Sequence, residues 1–303
     1  MVGAVSPGTF LGLPSADPAA AEADIAILGV PHGFPYPTSG STAGCSEAPS
    51  AIRRRSARLG GFVGHHDFDT GRPLLPNAGR IVDCGDVLGD AADGPGNAAR
   101  AEATVRALLE QSVTPIVLGG DDSVPIPVIH AFADYGPITV LQIDAHLDFR
   151  DEVGGVTQGY SSPMRRASEM AHVARVVQVG LRGVGSARSS DVGDARAAGG
   201  LLVPARELRE RGVGWVLEQL PEGTAVFLTV DLDGLDPSLC PAVSAPVPGG
   251  LTWDEAGDLV SGVANRCRVV GAAFTELVPD LDASGYSALV AARLVIRLLS
   301  AIP

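Results

Sequence analysis

Eight short apolar runs, most of them unbroken by polar residues, are the strongest constraint on how this chain can fold. They are "ADIAILGV" (23–30), "GRIVDCGD" (79–86), "TPIVLGG" (114–120), "ITVLQID" (138–144), "ARVVQVGLRG" (174–183), "GLLVPA" (200–205), "TAVFLTVDLD" (224–233) and "RVVGAAFTEL" (268–277). A strand with one wet face alternates apolar and polar residues; a strand covered on both faces reads as a continuous apolar run. Helical patterns fall between them, at 96–111, 205–220 and 252–267, and a long apolar-striped helix closes the chain at 284–302. Thr252 followed by Glu255 is a capping-box start for the third of these. Alternating strands and helices predict a parallel sheet with helices on both faces. No long Pro/Gly/Ser linker and no internal repeat divide the chain, so a single α/β domain over residues 1–303 is expected. The stretch "GVPHGFPYPTSGSTAGCSEAPSAIRR" (29–54) follows the first strand, and reads either as a substrate-facing loop or as a plain irregular connection.

Charge narrows the partners. The net charge is −13, and all 22 basic residues are arginine. Such a surface repels nucleic acid and anionic membrane, and is compatible with a small cationic substrate. The four cysteines, Cys45, Cys84, Cys240 and Cys267, show no CxxC spacing and read as reduced, mostly buried thiols. The first residues lack the basic start and apolar run of a signal peptide, and no segment has the length of a membrane span. A soluble, cytoplasmic protein is the expectation.

The acids fall in a pattern. Asp121 and Asp122 end one apolar run; Asp144, His146 and Asp148 end the next; Asp231, Asp233 and Asp236 follow in "VDLDGLDP"; Glu276 ends "GAAFTEL". In a parallel sheet these strand ends share one edge. Residues two apart on an extended strand face the same way, so Asp144, His146 and Asp148 converge if strand geometry persists, as do Asp231 and Asp233. Helix or turn capping accounts for Asp121 and Asp236. It leaves D-A-H-x-D and D-x-D unexplained. Buried acids at such density are untenable without cations. Oxygen-rich ligation with one nitrogen suits Mn²⁺. Two ions would absorb the charge and lower the pKa of a shared water enough to make a hydrolytic nucleophile near neutrality.

Taken in order, "GGDDS", "DAHLD", "DLDGLDP" and "TELVPDLD" resemble the arginase/agmatinase (ureohydrolase) family, and "VGLRG", "SSPMRRA" and "ELVPDLD" resemble its agmatinase-like branch. The resemblance implies an eight-stranded parallel sheet in a three-layer arginase-like fold, two Mn²⁺ per chain and a homotrimer or homohexamer. It implies hydrolysis of a guanidino compound to urea and an amine, with agmatine giving putrescine as the default. 4-Guanidinobutyrate, guanidine and biguanides remain alternatives, as does a non-catalytic paralogue subunit. By the same resemblance Asp122, Asp144, Asp148 and Asp231 hold one ion, and Asp144, His146, Asp231 and Asp233 the other. Glu276 meets the guanidinium, and Asp148 or Asp233 accepts a proton.

Two positions depart from the family pattern. Asp122 stands where G-G-D-H-S has histidine. A histidine bound through Nδ1 places its donor two bonds from Cβ, as a carboxylate oxygen is, so Asp122 can reach the same ion. Tyr160 stands where many members have a proton-shuttling histidine; a phenol can hydrogen-bond substrate but is a poor shuttle near neutrality. Among the remaining histidines only His32, in the first loop, is placed to matter.

Overall fold

The computed structural model describes residues 8–34, 36 and 43–303. The readings of the first seven residues and of positions 35 and 37–42 lie outside them. All eight apolar runs are strands: β1 (Ile25–Val30), β2 (Ile81–Asp86), β3 (Thr114–Gly119), β4 (Ile138–Ile143), β5 (Val173–Leu181), β6 (Leu201–Pro204), β7 (Ala225–Asp231) and β8 (Arg268–Thr275). They form one sheet in the order β2-β1-β3-β8-β7-β4-β5-β6, every pair parallel. A two-stranded ribbon at 66–67 and 72–73 stands apart from it.

The unbroken apolar runs have the expected cause. In β1, Ile25 and Ile27 enter one core while Ala26, Leu28 and Val30 enter the other. The first core is closed by α1 (Ala48–Ala57), α6 (Ala205–Arg211), α7 (Val213–Glu218), α8 (Trp253–Arg266) and α9 (Tyr286–Ala301). The second is closed by α2 (Gly94–Glu110), α3 (Pro125–His130), α4 (Pro163–Glu169) and α5 (Ser189–Ala197). Each fully buried Leu or Val contributes about 1.5–3 kcal/mol. Burial on both faces is therefore what holds three layers together.

Two expectations about helices change. The pattern at 205–220 is two helices, because Gly212 at φ 82° takes a conformation that ends a right-handed helix. The end of the 29–54 stretch is not loop but α1, which carries Pro49 in its first turn. The capping box of α8 is present: Glu255 N donates to Thr252 Oγ1 at 3.2 Å and Thr252 N to Glu255 Oε2 at 2.8 Å.

Topology places the site. β3 and β4 are consecutive in the chain but separated in the sheet by β8 and β7. A crevice opens at such a crossover, outside the carboxyl ends of the strands. Register makes those ends level: Ile143 lies beside Val230, Val230 beside Phe274 and Phe274 beside Leu118.

Candidate metal centre

The residues that follow this level row are the acids. Asp231 ends β7 beside Thr275, Asp144 follows β4, Glu276 follows β8, and Asp122 comes three residues after β3. Two groups of ligand atoms result. Asp122, Asp144, Asp148 and Asp231 form one and Asp144, His146 and Asp233 the other, with the donor atoms of each group within 4.8 Å of one another. Asp144 is common to both. All five aspartates are buried and His146 is nearly so.

Convergence is not achieved by continued strand geometry. β4 ends at Ile143, and the D-A-H-x-D segment turns through Asp148 at φ 44°. Asp233 lies in a 3₁₀ turn, where its N–H donates to Asp231 Oδ1 at 2.8 Å. Spacing of two brought these groups together by tight turns, with backbone amides aimed at the acids. The Ala145 N–H donates to Asp233 Oδ1 (3.2 Å) and the His146 N–H to Asp144 Oδ1 (2.5 Å). His146 Nδ1 lies 2.9 Å from Asp233 Oδ2. Arg182 donates to the carbonyls of Asp233, Gly234 and Leu235, which fixes that turn from behind.

Glu276 stands at the rim of the groups. Its Oε1 accepts the Asp122 N–H at 2.8 Å, and the Cys45 thiol lies 3.8 Å from its Oε2. It has φ 68°. Asp148 and Glu276 are two of the four non-glycine residues with positive φ among the described residues. Left-handed backbone costs a non-glycine residue roughly 1–2 kcal/mol. Strain of that kind gathers where a side chain must point one way. A cavity of about 240 Å³ opens over the cluster, with Tyr160, Ser186, Ser244 and Glu276 among its walls. Tyr160 stacks edge-on against Tyr36, ring centroids 4.6 Å apart.

Electrostatics bears on whether cations fit. Burial, then the charge of Asp148, pushes Asp122 and Asp144 well above the usual carboxylate range. Burial likewise raises Asp231, Asp148 to about 6 and Glu276 to about 8. Burial disfavours a charged His146, yet its hydrogen bond to Asp233 and the acids nearby outweigh that and raise it. No lysine exists in the chain, and no arginine forms an ion pair with these five aspartates or Glu276 among the described residues. Hard oxygen donors and one imidazole, with too little positive charge nearby to balance five aspartates, fit divalent metal ions.

A family-wide sequence model described as the arginase family matches residues 23–300. The chain is 33% identical over 300 residues to the agmatinase of Sodalis glossinidius, covering 96% of this chain and 91% of that protein. This chain belongs to the arginase family. Among solved structures, the proclavaminate amidino hydrolase from Streptomyces clavuligerus superposes with a TM-score of 0.83 at 28% identity, covering 97% of this chain and 96% of that one. A variant of Trypanosoma cruzi formiminoglutamase, described with Mn²⁺, shares the fold at TM-score 0.80 and 23% identity, covering 93% and 95%. Arginase-family proteins are metal-dependent ureohydrolases acting on guanidino compounds, and this chain is an enzyme of that kind.

Within this arginase-family site the remaining sequence expectations sort cleanly. Asp121 is in neither ligand group; its Oδ1 accepts from the Ser123 N–H (3.0 Å) and hydroxyl, and it packs so close to Gly33 that a Cβ there would sit 2.3 Å from that oxygen. Asp236 accepts from Ser238, Gly249 and Gly250 and organises a loop. His32 packs over Gly89, outside both groups. His130 pairs with Glu102 and His172 bonds the Ile129 carbonyl. Sequence reasoning passed over Cys45, Gln142, Gln178, Arg182, Ser244 and Thr275. Gln142 and Thr275 were visible as polar residues inside otherwise apolar strands.

Proposed function

We propose that this arginase-family hydrolase cleaves agmatine to urea and putrescine at a centre of two Mn²⁺ ions. The observation that carries the reading is the meeting of two ligand groups through Asp144, with Glu276 and five of the six ligand residues lining one cavity. The likeness to an agmatinase names the substrate, and the formiminoglutamase variant described with Mn²⁺ favours that metal. Asp122, Asp144, Asp148 and Asp231 hold one ion; Asp144, His146, Asp231 and Asp233 hold the other.

When bound, two divalent ions supply Lewis-acid polarisation and a water acidic enough to attack. The protein does the rest. Glu276, held by the Asp122 amide, receives the guanidinium. That cation favours the charged carboxylate and brings its pKa down from the value burial imposes. Asp148 or Asp233 takes the proton released on attack. Tyr160 borders the substrate and hydrogen-bonds it. The likeness to an amidino hydrolase keeps other guanidino compounds as a second reading.

The whole chain acts as one domain. We infer further that it works in the cytoplasm as a homotrimer or homohexamer. All four cysteines are free, which suits a reducing compartment, and no helix among the described residues is long and apolar enough to cross a membrane. Urea release by purified, Mn²⁺-loaded protein across agmatine, 4-guanidinobutyrate, guanidine and a biguanide tests the substrate. Agmatine is expected to have the highest kcat/KM. No urea from any of them, with no metal found by elemental analysis, sinks the reading.

A further inference from the structure

Two buried glutamines lie behind the acids, in strands where packing alone asks for apolar side chains. Gln142 on β4 is level with Gln178 on β5 and with Thr229 on β7, and all three are essentially without solvent contact. A buried amide is costly unless its hydrogen bonds are made. Gln178 Nε2 donates to the Leu147 carbonyl and to Gln142 Oε1, each at 2.7 Å. Gln142 Nε2 then donates to Asp144 Oδ2 at 2.5 Å and faces Asp122 Oδ2 at 3.4 Å. The direction of the chain is forced. A backbone carbonyl can only accept, so Gln178 presents its amide group to Leu147; its second hydrogen claims the Gln142 oxygen, which turns the Gln142 amide group to the carboxylates. Flipping either residue would set oxygen against oxygen.

Leu147 sits between His146 and Asp148, so the relay ties the ligand-bearing loop to two of the acids. Asp122 needs such a tie more than an imidazole would, because a carboxylate can turn either oxygen to the same ion. Its other oxygen, Oδ1, accepts from Thr275 Oγ1 at 2.7 Å. Both oxygens are thus addressed by neutral donors, which orient the acid without discharging it.

We propose that Gln142, set by Gln178, is a positioning residue that aims Asp122 and Asp144 at the ion held by the four-acid group. The inference rests on the metal-centre reading above. Partners of metal ligands are worth on the order of 10–100-fold in affinity. Gln142→Met keeps the volume and removes both donors; Gln178→Met leaves Gln142 in place but free to turn. Mn²⁺ titration of metal-stripped protein by calorimetry, with bound metal counted by elemental analysis, is the test. Gln142→Met is expected to weaken one of two ions by about 10-fold or more, with a smaller loss of the same ion in Gln178→Met. Thermal unfolding of the metal-free variants separates a packing role, which lowers melting temperature without touching affinity. If both variants bind two ions with wild-type affinity, the inference fails while the metal centre stands; if Gln142→Met does not fold, unchanged affinity in Gln178→Met has the same force. Wild-type protein that binds no Mn²⁺ overturns both.

Discussion

Two buried acids in this molecule are treated in opposite ways. Asp83 on β2 is fully buried and completely served by the chain itself: Arg53 from α1 grips it at 2.8 and 2.9 Å, and the N–H groups of Phe10 and Gly85 complete its partners. Asp144, five strands away in the crevice, is equally buried and accepts hydrogen bonds only from an amide and a backbone N–H, with an imidazole and other acids beside it. The first is a closed ion pair. The second is an arrangement whose positive partner must come from solution. Burial of charge therefore marks a functional site only where the fold declines to neutralise it.

The sharpest way to break this contrast is to remove the internal cation. Arg53→Met strands Asp83 in the core and is expected to cost about 3–5 kcal/mol, read by urea denaturation, and by nearly the same amount with and without Mn²⁺. A loss that Mn²⁺ largely restored would mean that the two regions are not independent.

Next comes the ligand that departs from the family pattern. Asp122→Ala is expected to lower bound metal from two ions to one, while Asp122→His keeps both, as counted by elemental analysis. Retention of both ions at unchanged affinity in Asp122→Ala would remove it from the ligand set.

A third test is a pH dependence whose sign follows from burial. Asp148 and Glu276 are raised to about 6 and about 8, so the folded metal-free protein holds protons that the unfolded chain has released. Their stabilising contribution is full below the ordinary carboxylate range and is lost as pH rises through those folded values. Metal-free protein should therefore become less stable between about pH 5 and 8 on their account, and saturating Mn²⁺ should abolish the part due to Asp148, a ligand. Replacing Glu276 with Gln should remove the part of the decline between about pH 6 and 8 and leave that of Asp148 below it.

How much of this was legible in the sequence depends on the range of the interaction. The eight strands were, since burial on both faces writes itself into contiguous residues. So were Asp122, Asp144, His146, Asp148, Asp231 and Asp233, because each sits at a strand end or within a few residues after one. The short helices α1, α3, α4 and α5 were missed, being too brief for a clear period; in the first three the first-turn prolines, Pro49, Pro125 and Pro163, were the available signal. Nothing local announces that Asp148 and Glu276 take left-handed backbone, or that Gln178 and Gln142 meet across 36 positions. Those facts belong to the assembled sheet.

The level ends of the four central strands have a consequence for how such an enzyme can diverge. Inserting one residue in β3, β4, β7 or β8 would swing the following acid to the opposite side and displace it by about 3.3 Å, farther than any ligand could stretch. Diversification is thereby steered away from the middle of the sheet and toward the connections around the cavity mouth, where length can change while the ions stay put.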